Sequence, residues 1–232
     1  MKHHHLITKQ NFLASHRIFY FQIRHFPVFF LICLIAWDYT AFGQSKEWLF
    51  GGKMALGISG FNNSSQDHPF FLNFNYEAGL NVDLIRPNSI GMGIDFLFSG
   101  KGANTNYGNY HFTLQYLILS LGPNFYINRI KTIILAGGYA GLLLNDKITT
   151  DIQTSHSKDI SFKPYDAGVI VSINQRLVKI KSIFIGLELY SSFGLINIIN
   201  EDNTGNAIGF DNKWTNNFSV NLCLTVLFSQ VN

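Results

Sequence analysis

Five charged residues occupy the polar positions of segments in which apolar and polar residues alternate. They are Lys53, Glu77, Asp95, Asp166 and Glu188. Carboxylates grouped near a lysine could perform acid–base catalysis or pass protons. The alternative is an ion-pair network around Lys53 that satisfies charges buried in a narrow interior, because a buried charge needs a partner. Single charges that alternate with Asn and Gly along one face favour the network over a catalytic group.

Histidines and serines near the predicted loops are candidates for a hydrolase triad. The candidates are His68, His111, His156, Ser64, Ser99 and Ser155. The sequence has no G-x-S-x-G motif, and spacing alone does not make a triad. The glycine-rich run at 137–141 lacks the Lys and Ser/Thr of a phosphate loop. Acidic residues in the loops could bind calcium, but their spacing is not that of an EF-hand. We therefore predict no enzyme, no cofactor and no defined metal site.

A second set of charges gathers at the short predicted turns. These residues are Arg86, Arg129, Lys131, Arg176, Lys179 and Lys181. Such a basic rim could dock an acidic periplasmic partner or anionic head groups. It could also be a solvated edge that prevents aggregation, and this is the interpretation we favour.

The composition restricts the class of protein. Of 232 residues, 47% are hydrophobic, 15% aromatic and 13% charged, whereas a soluble domain carries about 25% charged residues. Disordered, coiled-coil and highly charged nucleic-acid-binding proteins are therefore excluded. The net charge of +3 comes from Lys2, Lys9, Arg17 and Arg24 against Asp38. The rest of the chain is near neutral, so no nucleic-acid partner is expected.

Residues 1–43 have the pattern of a cleaved secretory signal peptide. A basic stretch precedes a short apolar run at 26–37, and the sequence at 41–43 is Ala-Phe-Gly, which fits a cleavage site with small residues at −3 and −1. An uncleaved anchor is the alternative, but the run is too short to span a bilayer comfortably. Residues 44–232 are then one domain, in which Cys223 has no cysteine partner for a disulfide.

From residue 47 onward the dominant period is two. Between 72 and 84 the even positions are apolar and the odd positions are Asn, Asp, Glu or Gly, as in a strand with one oily face. Eight such segments cover about 48–59, 70–85, 89–101, 110–126, 131–144, 160–174, 179–195 and 214–228. Each is long enough to cross a bilayer as a tilted strand. The sequence predicts an eight-stranded antiparallel up-and-down transmembrane β-barrel, with the registers of 110–126 and 131–144 left open.

The connections and the aromatic residues predict how the barrel is oriented in the membrane. The connections alternate between long and short, the short ones being 86–88, 127–130 and 175–178, so the short turns are expected in the periplasm and the long loops outside. Aromatic residues near both ends predict two interfacial girdles. The turn-end girdle would contain Trp48, Phe50, Phe125, Tyr126 and Phe228, and the loop-end girdle Phe61, Phe70, Tyr110, Phe112, Phe162, Tyr165, Phe193 and Trp214. A soluble lipocalin-like barrel would instead turn its apolar faces inward.

Several short motifs are shared with a known family. They include GKMALG at 52–57, FLFSGKG at 96–102, GGYAG at 137–141, DAG at 166–168 and GLINI at 194–198. Over residues 47–229 the chain resembles the PorT-like family of outer-membrane β-barrels of Bacteroidetes-type bacteria. It departs from the family at Ile118 and Ser120, where an acid and a proline are common. The resemblance implies the bacterial outer membrane, and some family members assist protein secretion, but it assigns no role to any residue.

The expected function follows from these patterns. We predict a non-enzymatic outer-membrane protein with a structural or interaction role in the cell envelope, including a role in protein secretion. Its expected partners are outer-membrane lipid and other envelope or secretion-system proteins. The alternatives are a small pore or transport protein and an outer-membrane lipid-modifying enzyme. A barrel of eight strands argues against a pore, because side chains fill an interior of that width.

Overall fold

The alternating segments form β-strands in the computed structural model, which describes residues 46–63, 70–87, 89–105, 110–150, 161–199 and 215–231. The described residues contain eight strands. They are β1 (Glu47–Asn63), β2 (Phe70–Ile85), β3 (Ile90–Thr105), β4 (Tyr110–Ile127), β5 (Thr132–Thr150), β6 (Tyr165–Ile180), β7 (Ile183–Gly194) and β8 (Thr215–Val231). In this part of the chain no helix has the length and apolar character needed to cross a membrane. The predicted signal peptide lies outside the described residues.

The eight strands close into one barrel in chain order. Each strand is antiparallel to its neighbours, and β8 returns to β1 over a register that runs from Glu47↔Val231 to Asn63↔Thr215. Closure pairs the backbone groups that an open sheet would leave at its edges, which the hydrocarbon core of a bilayer cannot satisfy. The predicted fold, an eight-stranded antiparallel barrel, is confirmed.

The apolar faces point out of the barrel. Met54, Phe74 and Leu80 are 68%, 65% and 63% exposed, whereas the polar residues Glu77 and Asn81, on the opposite face of β2, are buried. A soluble barrel would show the reverse arrangement, because its oily faces would form the core. The outward apolar belt is the surface expected of a protein whose solvent is lipid.

The ends of several strands differ from the predicted segments. β3 and β5 extend to Thr105 and Thr150, and Asp146, predicted in a loop, is an exposed strand residue. β6 differs as well, because it continues to Ile180, so the turn lies at 181–182 and not at 175–178. The predicted break falls in a run of polar residues from Asn174 to Arg176. Asn174 and Arg176 are buried in the interior, and polarity there reflects the inward face of the strand.

The predicted aromatic girdles are correct only in part. Trp48, Phe50, Phe125 and Phe228 at one end and Tyr165 and Phe193 at the other are exposed on the outside. The predicted girdle residues that are instead buried are Phe61, Tyr110, Phe112, Tyr126 and Phe162. Four of these occupy inward positions of β1 and β4, and Phe162 precedes β6. The side chains of Phe70 and Trp214 are outside the described residues.

Strand β4 shows that the interior is not wholly polar. Its even positions face inward and include Phe112, Leu114, Tyr116 and Ile118, all of which are buried. Leu97 of β3 and Ile170 of β6 belong to the same buried cluster. The register that the sequence left open for 110–126 is therefore fixed by packing on both faces, apolar side chains inside and lipid-facing side chains outside.

Gly137 marks a close approach between β4 and β5, next to Pro123, which has no backbone N–H to donate. A Cβ added at Gly137 would lie 2.3 Å from the carbonyl oxygen of Leu121 and 2.7 Å from Cα of Gly122. We expect Gly137→Ala to lower the free energy of unfolding by about 1–3 kcal/mol, because backbone atoms cannot yield as side chains do. The urea midpoint of the refolded barrel measures this loss.

Gly138 provides the matched control. A Cβ at Gly138 would meet its nearest atom, the carbonyl oxygen of Gly168, at 3.6 Å, which is ordinary van der Waals contact. Gly138→Ala should therefore leave the midpoint close to that of the unaltered protein. Equal losses for the two variants would show that the close approach at Gly137 is not what limits substitution.

Candidate functional site

Lys53 of β1 lies at the centre of a buried charge network. Its Nζ donates to Oδ2 of Asp95 on β3 at 3.1 Å and to Oε1 of Glu188 on β7 at 2.9 Å. The ammonium also lies 5.0 Å from the centre of the Tyr190 ring. Lys53 is only 1% exposed, so the two carboxylates replace the solvation it loses on burial. One side chain thus ties three strands together across the interior.

Neutral groups complete the coordination of the two carboxylates, and we call the whole group the Lys53 network. Asp95 accepts from Nδ2 of Asn81 at 2.8 Å and from Oγ of Ser120 at 3.1 Å. Glu188 accepts from Nδ2 of Asn174 at 3.4 Å. Every described hydrogen-bond partner of these charges is a side chain of a barrel strand. Within the described residues, the network is therefore made of strand side chains alone.

The other two predicted members lie in separate groups. Glu77 accepts from Oγ of Ser99 at 2.9 Å. Asp166 accepts from the Tyr139 hydroxyl and from Nδ2 of Asn217, both at 2.8 Å. Among the described ion pairs neither carboxylate contacts Lys53. The structure therefore brings together Lys53, Asp95 and Glu188 but not Glu77 and Asp166.

Lys101 and Asp83 are interior charges that were absent from the predicted set. Nζ of Lys101 donates to Oγ of Ser192 at 3.1 Å and lies 4.8 Å from the centre of the Tyr139 ring. Asp83 accepts from Nδ2 of Asn124 at 3.1 Å. Both residues continue the inward alternation of β2 and β3, so strand parity was the signal that could have identified them.

Hydrolytic chemistry finds no support in the described residues. Ser99 is buried and bonded to Glu77, whereas His111 is exposed and its Nδ1 lies 2.9 Å from Oδ1 of Asn104. Ser99 and His111 are therefore on opposite faces of the wall and cannot form a triad. The candidates His68, His156, Ser64 and Ser155 lie outside the described residues, as do most of the acidic loop positions. Within the described part of the chain, no three His, Cys, Asp or Glu residues are placed to hold a metal ion.

Aromatic side chains fill the interior at the end of the barrel that carries the long connections, which we call the loop end. The Phe61 ring lies 5.8 Å from that of Phe112 and 6.2 Å from that of Phe162, and the Phe112 and Phe162 rings are 6.0 Å apart in an edge-to-face arrangement. Tyr110 stacks on Phe112 at 6.2 Å. These four residues form the loop-end cluster, and its rings occupy the mouth of the barrel.

Segments outside the strands complete this closure. Phe162 pairs with Ile199 in an isolated antiparallel bridge, and N–H of Lys163 donates to the carbonyl of Ile198 at 2.7 Å. Ile198 and Ile199 are buried in the same hydrophobic cluster as Phe162. N–H of Ile198 in turn donates to the carbonyl of Thr215 at 2.9 Å. The described residues that precede β6 and follow β7 therefore fold into the mouth.

The predicted basic rim lies at the opposite end, the turn end, and it has two kinds of member. Arg129, Lys131, Lys179 and Lys181 are exposed. The other two, Arg86 and Arg176, are buried and so are not part of a solvated edge. The guanidinium of Arg176 lies close to two rings, 4.5 Å from the centre of Tyr126 and 4.6 Å from that of Phe184.

A family model and several solved structures are similar to this chain. Residues 42–200 match a family model described as outer membrane protein beta-barrel domain. The outer membrane protein OprG from Pseudomonas aeruginosa is similar in structure, with a TM-score of 0.54 at 9% identity over 80% of this chain and 95% of that chain. AlkL, solved by solid-state NMR in DMPC bilayers, gives 0.42 at 9% identity over 82% and 92%. Ail of Yersinia pestis gives 0.36 at 11% over 80% and 99%. No curated protein matches the sequence, and the likeness to OprG bears on the fold alone.

Proposed function

Because the chain belongs to the outer membrane protein beta-barrel domain family, and is thus a protein of the bacterial outer membrane, we propose that it is a closed, non-enzymatic barrel. Its role is structural or interactive within the cell envelope. The turn end faces the periplasm, as the short connections at 86–89, 128–131 and 181–182 suggest. In this role, outer-membrane lipid contacts the apolar belt, and other envelope proteins bind at the two ends of the barrel.

The filled interior is the observation that carries this proposal. The Lys53 network crosses the barrel from β1 to β3 and β7, and the loop-end cluster occupies one mouth. Side chains are expected to fill a barrel of eight strands, which leaves no aqueous channel. A pore or transport function would require these groups to move aside together, so the arrangement favours a barrel that acts through its surfaces.

The finer assignment rests on the sequence. The motifs at 52–57 and 96–102 support membership of the PorT-like group, and through that group a role in protein secretion. Residues 1–43 would act as the signal peptide that directs the chain to the envelope. The separation of Ser99 from His111 across the wall supports a protein without lipid-modifying activity.

Electrical recording from planar bilayers tests the proposal. We expect the refolded mature barrel to show no sustained open-channel steps, because side chains fill a barrel of eight strands. Heat-modifiable gel mobility of the same sample serves as the control that the barrel has folded. Sustained steps that scale with the amount of folded barrel would overturn the closed-barrel function and favour the pore alternative.

A further inference from the structure

The turn end contains a cavity of about 290 Å³ beside the buried Arg176. Three cationic residues line it, namely Arg176, Lys131 and Lys179, and the carboxylate of Glu47 is the only acidic group among its lining residues. Its remaining walls are largely apolar or aromatic and comprise Pro87, Tyr126, Leu177, Val178 and Phe184, together with the polar Asn128. This combination is suited to an anion attached to an apolar group.

Arg176 has hydrogen-bonding capacity that the described protein does not use. Its Nη1 lies 3.7 Å from Oε2 of Glu47, which is too long for a strong hydrogen bond. Its Nε and Nη2 are buried without a hydrogen-bond partner. The other oxygen of Glu47 is held by Oγ of Ser229 at 2.6 Å. A buried donor without a partner costs free energy, so an oxyanion that reached this guanidinium would gain bonds without breaking strong internal ones.

The local backbone positions the cationic side chains around this cavity. A register shift between Arg176 and Val178 makes a β-bulge at Leu177, and bulges commonly redirect side chains beside functional sites. The carbonyl of Lys131 accepts from N–H of Arg176 at 3.1 Å, which fixes the turn that carries Lys131. Nζ of Lys179 lies 4.7 Å from the centre of the Phe184 ring.

We propose that this cavity binds the free C-terminal carboxylate of an apolar peptide segment presented from the periplasm. A planar guanidinium matches a carboxylate in a two-bond arrangement, and the apolar walls would hold the terminal side chain. Tyr126 and Phe184 belong to an interior cluster with Leu49 and Ile133, so the part of the site around the guanidinium lies on the inner side of the wall, whereas a lipid head group would lie outside it. The proposal deepens the interaction role proposed above and depends on it.

Peptide binding to the mature barrel in nonionic detergent tests the site. The probe is a fluorescently labelled hydrophobic tetrapeptide with a free C-terminal carboxylate, compared with the same peptide as an amide and with inorganic phosphate as competitor. The free acid should bind and the amide should not. Arg176→Met should weaken binding by about tenfold or more, since a charge-assisted hydrogen bond contributes about 1.5–3 kcal/mol. Lys179→Gln, which alters an exposed side chain, should weaken it to a smaller extent.

Arg129→Gln is the matched control, because Arg129 is an exposed cation of the same rim that does not line the cavity. It should bind the peptide as the unaltered protein does. Equal binding of acid and amide, absence of binding, or equal weakening by Arg129→Gln and Lys179→Gln would each overturn the site. Phosphate competition as strong as that of unlabelled peptide would also overturn the peptide proposal, because it would indicate a site for free anions. Channel steps in planar bilayers bear instead on the closed-barrel function, so the two proposals fail separately.

Discussion

Replacing Lys53 by Met should be one of the most damaging single changes in the barrel, at a cost of about 3–5 kcal/mol of unfolding free energy. The substitution removes the cation that lies 3.1 Å from Asp95 and 2.9 Å from Glu188. Two carboxylates would then remain buried without their counter-charge. Urea unfolding of the barrel in lipid vesicles, followed by heat-modifiable gel mobility, measures the shift in the midpoint.

Lys101→Met separates the loss of an ion pair from the loss of a buried lysine. Lys101 is as deeply buried as Lys53, but its described hydrogen-bond partners, Ser192 and Asn217, are neutral. We expect a smaller loss of about 1–3 kcal/mol. Adding Asp95→Asn and Glu188→Gln to Lys53→Met should recover part of the stability. If Lys53→Met lowered the free energy of unfolding no more than Lys101→Met does, the Lys53 network would not be the polar group that contributes most to the stability of the interior.

Phe112→Ala should cause the second large loss, about 3–5 kcal/mol, because truncation of a fully buried phenylalanine leaves a cavity. The Phe112 ring is fully buried and contacts the rings of Phe61, Tyr110 and Phe162. The substitution removes the ring that contacts the other three rings of the loop-end cluster. The same urea midpoint reports the loss.

Phe193→Ala is the control for this prediction. Phe193 lies near the same end of the barrel but is 48% exposed on the outside, where lipid or detergent can fill the space of the missing ring. Its midpoint should therefore fall less than that of Phe112→Ala. Equal losses would mean that the interior position of Phe112 confers no special stability and that the mouth is not closed by packing.

The alternating pattern predicted the fold because each outward side chain meets lipid and each inward one does not. Period two, applied strand by strand, placed Lys53, Asp95 and Glu188 on the inward face. It did not determine which of the acidic residues contact Lys53, since this depends on the relative stagger of β1, β3 and β7 across the closed barrel. Glu77 and Asp166 share the same face, but their described hydrogen-bond donors are neutral groups.

The predictions that differ from the structure concern residues whose local pattern fits two structures. Phe61 and Phe112 are at strand ends, where an aromatic residue suits both a bilayer interface and a packed mouth. Phe162 reaches the interior only because residues outside the strands fold back, which periodicity does not encode. The polar run that ends in Arg176 resembled a turn, but it is the inward face of β6 followed by a bulge at Leu177.

Labelling of Cys223 tests whether side chains fill the middle of the barrel and close it to water. Its thiol is fully buried on β8, which pairs at this position with Ala55 and Glu188, and it is the only cysteine in residues 44–232. The measurement is the rate at which a small charged methanethiosulfonate reagent labels the folded barrel in vesicles. We predict no appreciable labelling until the barrel is unfolded in urea, when it should become complete. Rapid labelling of the folded barrel, at a rate near that of the unfolded chain, would show that water reaches the middle of the barrel.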